Sequence, residues 1–118
     1  MSRNYAAIRK LAAGDQTEGF DCGQPALNQF LQRYALVNQK SYSAQTYVCC
    51  QRGVVVGFYS LSVGSLQPQA APPRVMQDMA RHPVPVMLLA RLAVDLAHQR
   101  QGLGQALLKD ALLRTAQA

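Results

Sequence analysis

Acidic residues are scarce in this 118-residue chain: six Asp and Glu stand against twelve Lys and Arg, a formal net charge of +6. That imbalance favours polyanionic partners over acidic or neutral ones. Cysteine is equally sparse, with Cys22, Cys49 and Cys50 the whole complement. An odd count with two members adjacent argues against a disulfide framework. Successive strand residues point to opposite faces, so Cys49 and Cys50 are poorly placed to hold one metal ion. We read all three as buried free thiols, and with only His82 and His98 beside them we expect no metal site. No apolar run approaches the ~18–20 residues that span a bilayer, and the opening MSRNYAAIRK lacks a signal-peptide core. A cytoplasmic protein without membrane association is expected. There are no repeats, low-complexity tracts or composition breaks, so residues 1–118 read as a single domain, able to bury roughly two-thirds of its unfolded surface. A hydrophobic content of 49% with 15% charged residues suits such a folded globule.

What is present is an alternation of strand and helix signals. Ala6–Leu11 reads as a first strand, followed by a polar turn over Ala13–Glu18. Pro25–Lys40 reads as a helix: Pro25 suits a first helical position, and Leu27, Phe30, Leu31 and Tyr34 recur at helical spacing as a core stripe. Gln45–Gln51 and Val54–Val63 flank Arg52-Gly53 and predict an antiparallel hairpin. Gly57 within its second strand predicts a bulge or a close backbone contact. The stretch from Gly64 to Pro85 holds five of the six prolines and reads as a long connection, with one helical turn over Val75–Ala80.

The informative stretch is Val86–Leu113. Leu88, Ala90, Leu92 and Val94 alternate with Leu89, Arg91, Ala93 and Asp95, as in a strand with two different faces. Gln99-Arg100-Gln101-Gly102-Leu103-Gly104 follows, and then a helix over Leu103–Thr115. Amides at a helix start lack intrahelical partners, and the macrodipole adds partial positive charge there. Two glycines let a ligand approach those amides and Arg100 adds a full charge, which together describe a phosphate or pyrophosphate site. Glycines at this place can also merely close a strand–helix turn. A dinucleotide fingerprint is excluded because position 107 is Leu, and a triphosphate loop because Gly-Lys-Ser/Thr is absent.

Gln-x-x-Gly-x-Gly after a strand resembles the acyl-coenzyme A loop of the GNAT acetyltransferases. Phe20-Asp21-Cys22-Gly23, Thr46-Tyr47-Val48, Val55–Leu61 and Pro85–Asp95 are similar to segments of the GNAT toxins of bacterial toxin–antitoxin pairs, in the same order. The resemblance implies an α/β (α+β) GNAT-like acyl-CoA N-acyltransferase fold, a mixed, mainly antiparallel sheet flanked by helices. It implies acetyl-CoA as co-substrate, with pantetheine along Leu92, Ala93 and Val94 and the pyrophosphate on Gln99, Arg100, Gln101, Gly102, Leu103, Gly104 and Gln105. The backbone N–H of Val94 would polarise the thioester carbonyl. Arg74, Arg81 and Arg91 are the implied substrate contacts.

The family continues past this helix into a strand, a helix and closing strands that carry a general-acid tyrosine. None of Tyr5, Tyr34, Tyr42, Tyr47 and Tyr59 matches it. On this reading the fold is C-terminally incomplete, the activity of the 118 residues alone is left open, and an uncovered strand edge favours a homodimer. The leading function is a toxin that acetylates the amine of aminoacyl-tRNA and so blocks translation, with a ribbon–helix–helix antitoxin as partner. Two alternatives stand beside it: acetylation of a small amine or protein, and a non-catalytic remnant that binds coenzyme A or an antitoxin.

Overall fold

The computed structural model describes residues 5–66 and 84–117, so Arg74, Arg81, His82 and the helical turn expected at Val75–Ala80 lie outside the described residues. Four strands form one antiparallel sheet in the order β1 (Arg9–Lys10), β2 (Gln45–Gln51), β3 (Val54–Leu66) and β4 (Val84–Val94). The first strand is shorter than expected. Only Arg9 and Lys10 are paired residue by residue, although the Ala6 N–H bonds the Cys50 carbonyl and the Leu11 N–H the Thr46 carbonyl on either side. The hairpin forms as read: Arg52 and Gly53 take φ of 55° and 80°, the left-handed pair whose twist matches that of its flanking strands.

The helix that the sequence places at Pro25–Lys40 is α-helical over Pro25–Gln29 (α1) and Ala35–Lys40 (α2), with a π turn over Phe30–Tyr34 between them. The Ala35 N–H reaches back to the Phe30 carbonyl, one residue further than in an α-helix. That extra residue rotates the following face by about a quarter-turn. Ala35 is consequently buried, while Tyr34, expected in the core stripe, is half exposed.

The sheet is the middle of three layers. Phe20, Phe30, Leu31, Ala35, Val48, Cys50, Val55, Phe58 and Ala93 pack on the face beneath α1 and α2. Cys49, Val56, Tyr59, Leu61 and Val94 pack on the other, against Leu103, Leu107 and Ala111 of α3 (Leu103–Gln117). Cys49 and Cys50 therefore separate to opposite cores as expected, and burial raises the pKa of both thiols.

Two register shifts shape the sheet. Cys49 pairs with Gly57 and Cys50 with Val55, so Val56 is an extra residue on β3. Val56 and Gly57 then face α3 in succession, and the second can do so only without a side chain. A Cβ on Gly57 would lie 3.0 Å from Leu107 Cδ1 and 3.3 Å from Leu103 Cδ2. The second shift lies on β4, where Arg91 pairs with Ser60 and Leu89 with Leu61, leaving Ala90 extra. Cross-strand partners share a face, so Leu89 belongs with Leu92 and Val94, and Leu88 with Arg91 and Ala93. The uninterrupted alternation read from the sequence is thus broken at Ala90.

Gly57→Ala should lower stability by about 1–3 kcal/mol through overpacking against α3, measured by urea denaturation. An unchanged midpoint would mean that Leu103 and Leu107 are not held where the close contact requires.

Candidate functional site

β4 lies at the sheet edge, paired with β3 alone among the described residues. Its last residues have a defined orientation. The Asp95 N–H bonds the Val56 carbonyl. Antiparallel bonding alternates along a strand, so the N–H and C=O of Val94 point away from β3, toward the open edge. The same alternation turns out the main chain of Leu92, whose register with Tyr59 is continuous with that of Val94 and Gly57. The Val94 carbonyl is taken there by Gln99 Nε2 at 2.9 Å, leaving the Val94 N–H facing outward.

Asp95 then starts a 3-10 turn over Leu96–His98, its carboxylate accepting from the Ala97 N–H at 3.0 Å. Its other oxygen accepts from the Asp21 N–H, while the Leu96 N–H donates to the Asp21 carbonyl. The second amide hydrogen of Gln99 goes to the Cys22 carbonyl at 3.3 Å. These bonds stitch the Phe20–Gly23 segment to the end of β4. Asp21 is itself fixed, its carboxylate held below the usual range by the Gly23 N–H and the Asn28 side chain.

Beyond Gln99 the backbone turns sharply. Arg100 has φ of 63° and Gly102 of 83°. The first bond of α3 runs from the Ala106 N–H to the Gly102 carbonyl. Among the described residues, the amides of Arg100, Gln101, Gly102, Leu103, Gly104 and Gln105 have no acceptor within the protein, the condition for an anion site at a helix start. A cleft of about 330 Å³ lies beside them, lined by Leu92, Ala93, Val94, Gln99, Arg100 and Gly104 on one side and Cys22, Gln24 and Leu27 on the other.

Six of the sequence-predicted residues thus converge on one cleft. The others divide. Leu103 turns its side chain into the core and contributes only main chain at the helix start, and Gln101 accepts a hydrogen bond from Tyr5. Gly102 is open on its outer side and Gln105 is exposed. Arg91 is not among the lining residues; its guanidinium lies 3.8 Å from the Phe30 ring centroid, on the α1 face. Cys22, read as buried, is half-buried at the cleft wall. The opposite wall (Cys22, Gln24, Leu27) was missed; its one sequence signal was the Phe20–Gly23 segment.

The GNAT acetyltransferase family model matches residues 6–118. The chain belongs to the GNAT acetyltransferase family. It is 44% identical over 114 residues to a tRNA-acetylating toxin of Mycobacterium tuberculosis (strain H37Rv), covering 97% of this chain and 68% of that protein. The solved structure of AtaT complexed with acetyl-methionyl-tRNAfMet is 29% identical, with a TM-score of 0.74 over 89% of this chain and 65% of that one. An AtaT toxin mutant bound to the C-terminus of the antitoxin AtaR and acetyl-CoA is 26% identical, with a TM-score of 0.77 over 95% and 66%. The chain thus spans about two-thirds of the length of each of these relatives.

Arg100→Gly tests the charge of this GNAT loop. Removing a left-handed non-glycine relieves about 1–2 kcal/mol, and added unfolded-state freedom returns about 0.5–1 kcal/mol, so stability should change by less than about 1 kcal/mol. Coenzyme A affinity at low salt should fall about two- to fivefold, the worth of an exposed charge pair, with the difference shrinking in high salt. Calorimetry reads both effects, and equal affinities at low salt would remove Arg100 from the site.

Proposed function

We propose that the chain is an acetyl-CoA-dependent N-acetyltransferase of the toxin class, whose acceptor is the amine of aminoacyl-tRNA. The observation that carries the reading is the outward Val94 N–H at the foot of a cleft whose head is six unpaired amides. Acetyl-CoA fits that donor set: a strand edge offers pairing to the amide-bearing pantetheine arm, and the helix start offers N–H groups and Arg100 to the diphosphate. Bound there, it supplies an acetyl group already activated as a thioester.

The chain's own residues then do three things. Leu92, Ala93 and Val94 orient the donor along the open edge. The Val94 N–H donates to the carbonyl oxygen as negative charge builds on it, a fixed dipole that needs no reorganisation during reaction. Arg100 and the amides of Gln101 to Gly104 hold the diphosphate end, so the reacting carbon is positioned by binding made elsewhere; such positioning accounts for a large share of rate in bimolecular transfer. The acceptor enters as the free amine, and no nucleophilic side chain is needed.

The tRNA acceptor is favoured over a small amine or protein by the 44% identical tRNA-acetylating toxin and by the +6 net charge. Arg74, Arg81 and Arg91 remain the proposed acceptor contacts. An antitoxin partner of the ribbon–helix–helix type, a homodimer, one domain over residues 1–118 and a cytoplasmic location complete the reading. Among the described residues no helix is long and apolar enough to cross a membrane.

Labelled acetyl-CoA and charged tRNA should yield acetyl-aminoacyl-tRNA; label on small amines or protein alone would move the acceptor assignment to those. Gly104→Asp is the sharper control. At Gly104 a Cβ meets only Val94 Cγ2 at an ordinary 3.9 Å, and an acid in a first helical turn is favourable by about 0.3–1 kcal/mol. The variant should therefore melt no lower than the parent yet lose coenzyme A binding through charge repulsion and crowding. Retained affinity would discard the loop assignment, as it would for Gly102→Asp combined with it.

A further inference from the structure

We propose that Tyr5 is a positioning residue for the anion-binding loop, acting through His98 and Gln101. The proposal rests on the coenzyme reading above and extends it to a residue more than ninety positions away in sequence.

The loop between Gln99 and Gly102 has two side-chain anchors. Gln99 is tied inward, to the carbonyls of Val94 and Cys22. Gln101 is tied outward, its Oε1 accepting from the Tyr5 hydroxyl at 3.0 Å. Between them sits Arg100 with its left-handed backbone and its side chain at the cleft. Opposed anchors on either side hold such a turn in one conformation.

The Tyr5 hydroxyl also lies 2.8 Å from His98 Nδ1, and the two rings meet edge-on at 5.6 Å between centroids. With the hydroxyl hydrogen committed to Gln101, the bond from His98 requires the hydrogen on Nδ1. The order of donation is then His98 to Tyr5 to Gln101, a short chain that joins the 3-10 turn to the phosphate loop. Tyr5 can hold that chain because its ring is partly buried against the core beneath α3. The coenzyme's diphosphate would meet amides whose spacing is already set, so less ordering is needed on binding.

The test uses Tyr5→Phe, which keeps the ring and removes the hydroxyl, with coenzyme A and pantetheine as the two probes. Pantetheine lacks the diphosphate and so reports on the Leu92–Val94 edge alone. Coenzyme A should bind about three- to tenfold more weakly, the effect of one neutral hydrogen bond, while pantetheine affinity and melting temperature stay unchanged. Adding Gln101→Ala to Tyr5→Phe should cost little more than either change alone, because both break the same link. Unchanged coenzyme A affinity, an equal loss for both probes, or fully additive losses would each overturn the proposal. Failure of the parent protein to bind coenzyme A would overturn the underlying coenzyme reading instead.

Discussion

The arrangement depends on two side chains at the end of one strand, Asp95 and Gln99. Backbone amides without a protein partner at a helix start are left to water or a ligand, and a turn that presents several of them has to be held in place by other bonds. Here the Asp95 carboxylate and the Gln99 carboxamide meet the local demands from within, taking the amides of Asp21 and Ala97 and the carbonyls of Val94 and Cys22. With those groups satisfied, the chain can leave Gln99 and enter α3 without spending its own N–H groups. The same bonds fix Cys22 opposite Val94, so one constraint builds both walls of the cleft.

The position of α3 follows from a second constraint, at Gly57. The bulge at Val56 turns two successive residues toward the helix, and the absence of a side chain at the second lets Leu103 and Leu107 come down onto the sheet. Further along, Tyr59 donates to Asp110 at 2.6 Å, and Arg114 bonds both Asp110 and the Ile8 carbonyl. Burial and the Asp110 carboxylate raise the pKa of Tyr59, so this hydroxyl stays protonated and structural. The helix is thereby locked at its start by packing and toward its other end by charge, which sets its free amides against the end of β4.

Much of this was legible in the sequence because it rests on local chemistry. Pro25 announced a helix start, Arg52-Gly53 a tight turn, and Gly102 with Gly104 the entry into a helix. The features that escaped are those decided by packing between distant segments. The π turn that buries Ala35 in place of Tyr34 is a register change inside an apolar stripe that looks regular on paper. The extra residue at Ala90 reverses the faces of Leu88 and Leu89 relative to Arg91 and the residues after it. Tyr5 gave no signal at all: a lone tyrosine ahead of the first strand acquires meaning only when the fold brings it to Gln101.

The tyrosines also bear on how far these residues go toward chemistry. Among the described residues none of the five lines the cleft: Tyr59 is bound to Asp110, Tyr47 stacks on it beneath Arg114, Tyr5 is held by the loop, and Tyr34 and Tyr42 are exposed. Beside apolar side chains, the cleft is faced by main-chain groups, the Arg100 cation, the Gln24 and Gln99 carboxamides and the half-buried Cys22 thiol. Main-chain dipoles and a guanidinium stabilise developing charge and hold a donor in place, yet they neither give nor take a proton in the working pH range. On the proposed coenzyme reading, donor binding and proton transfer are separable: residues 92–105 would carry the first largely through main-chain groups, and a substitution would abolish it by blocking the amides or by freeing the turn that presents them.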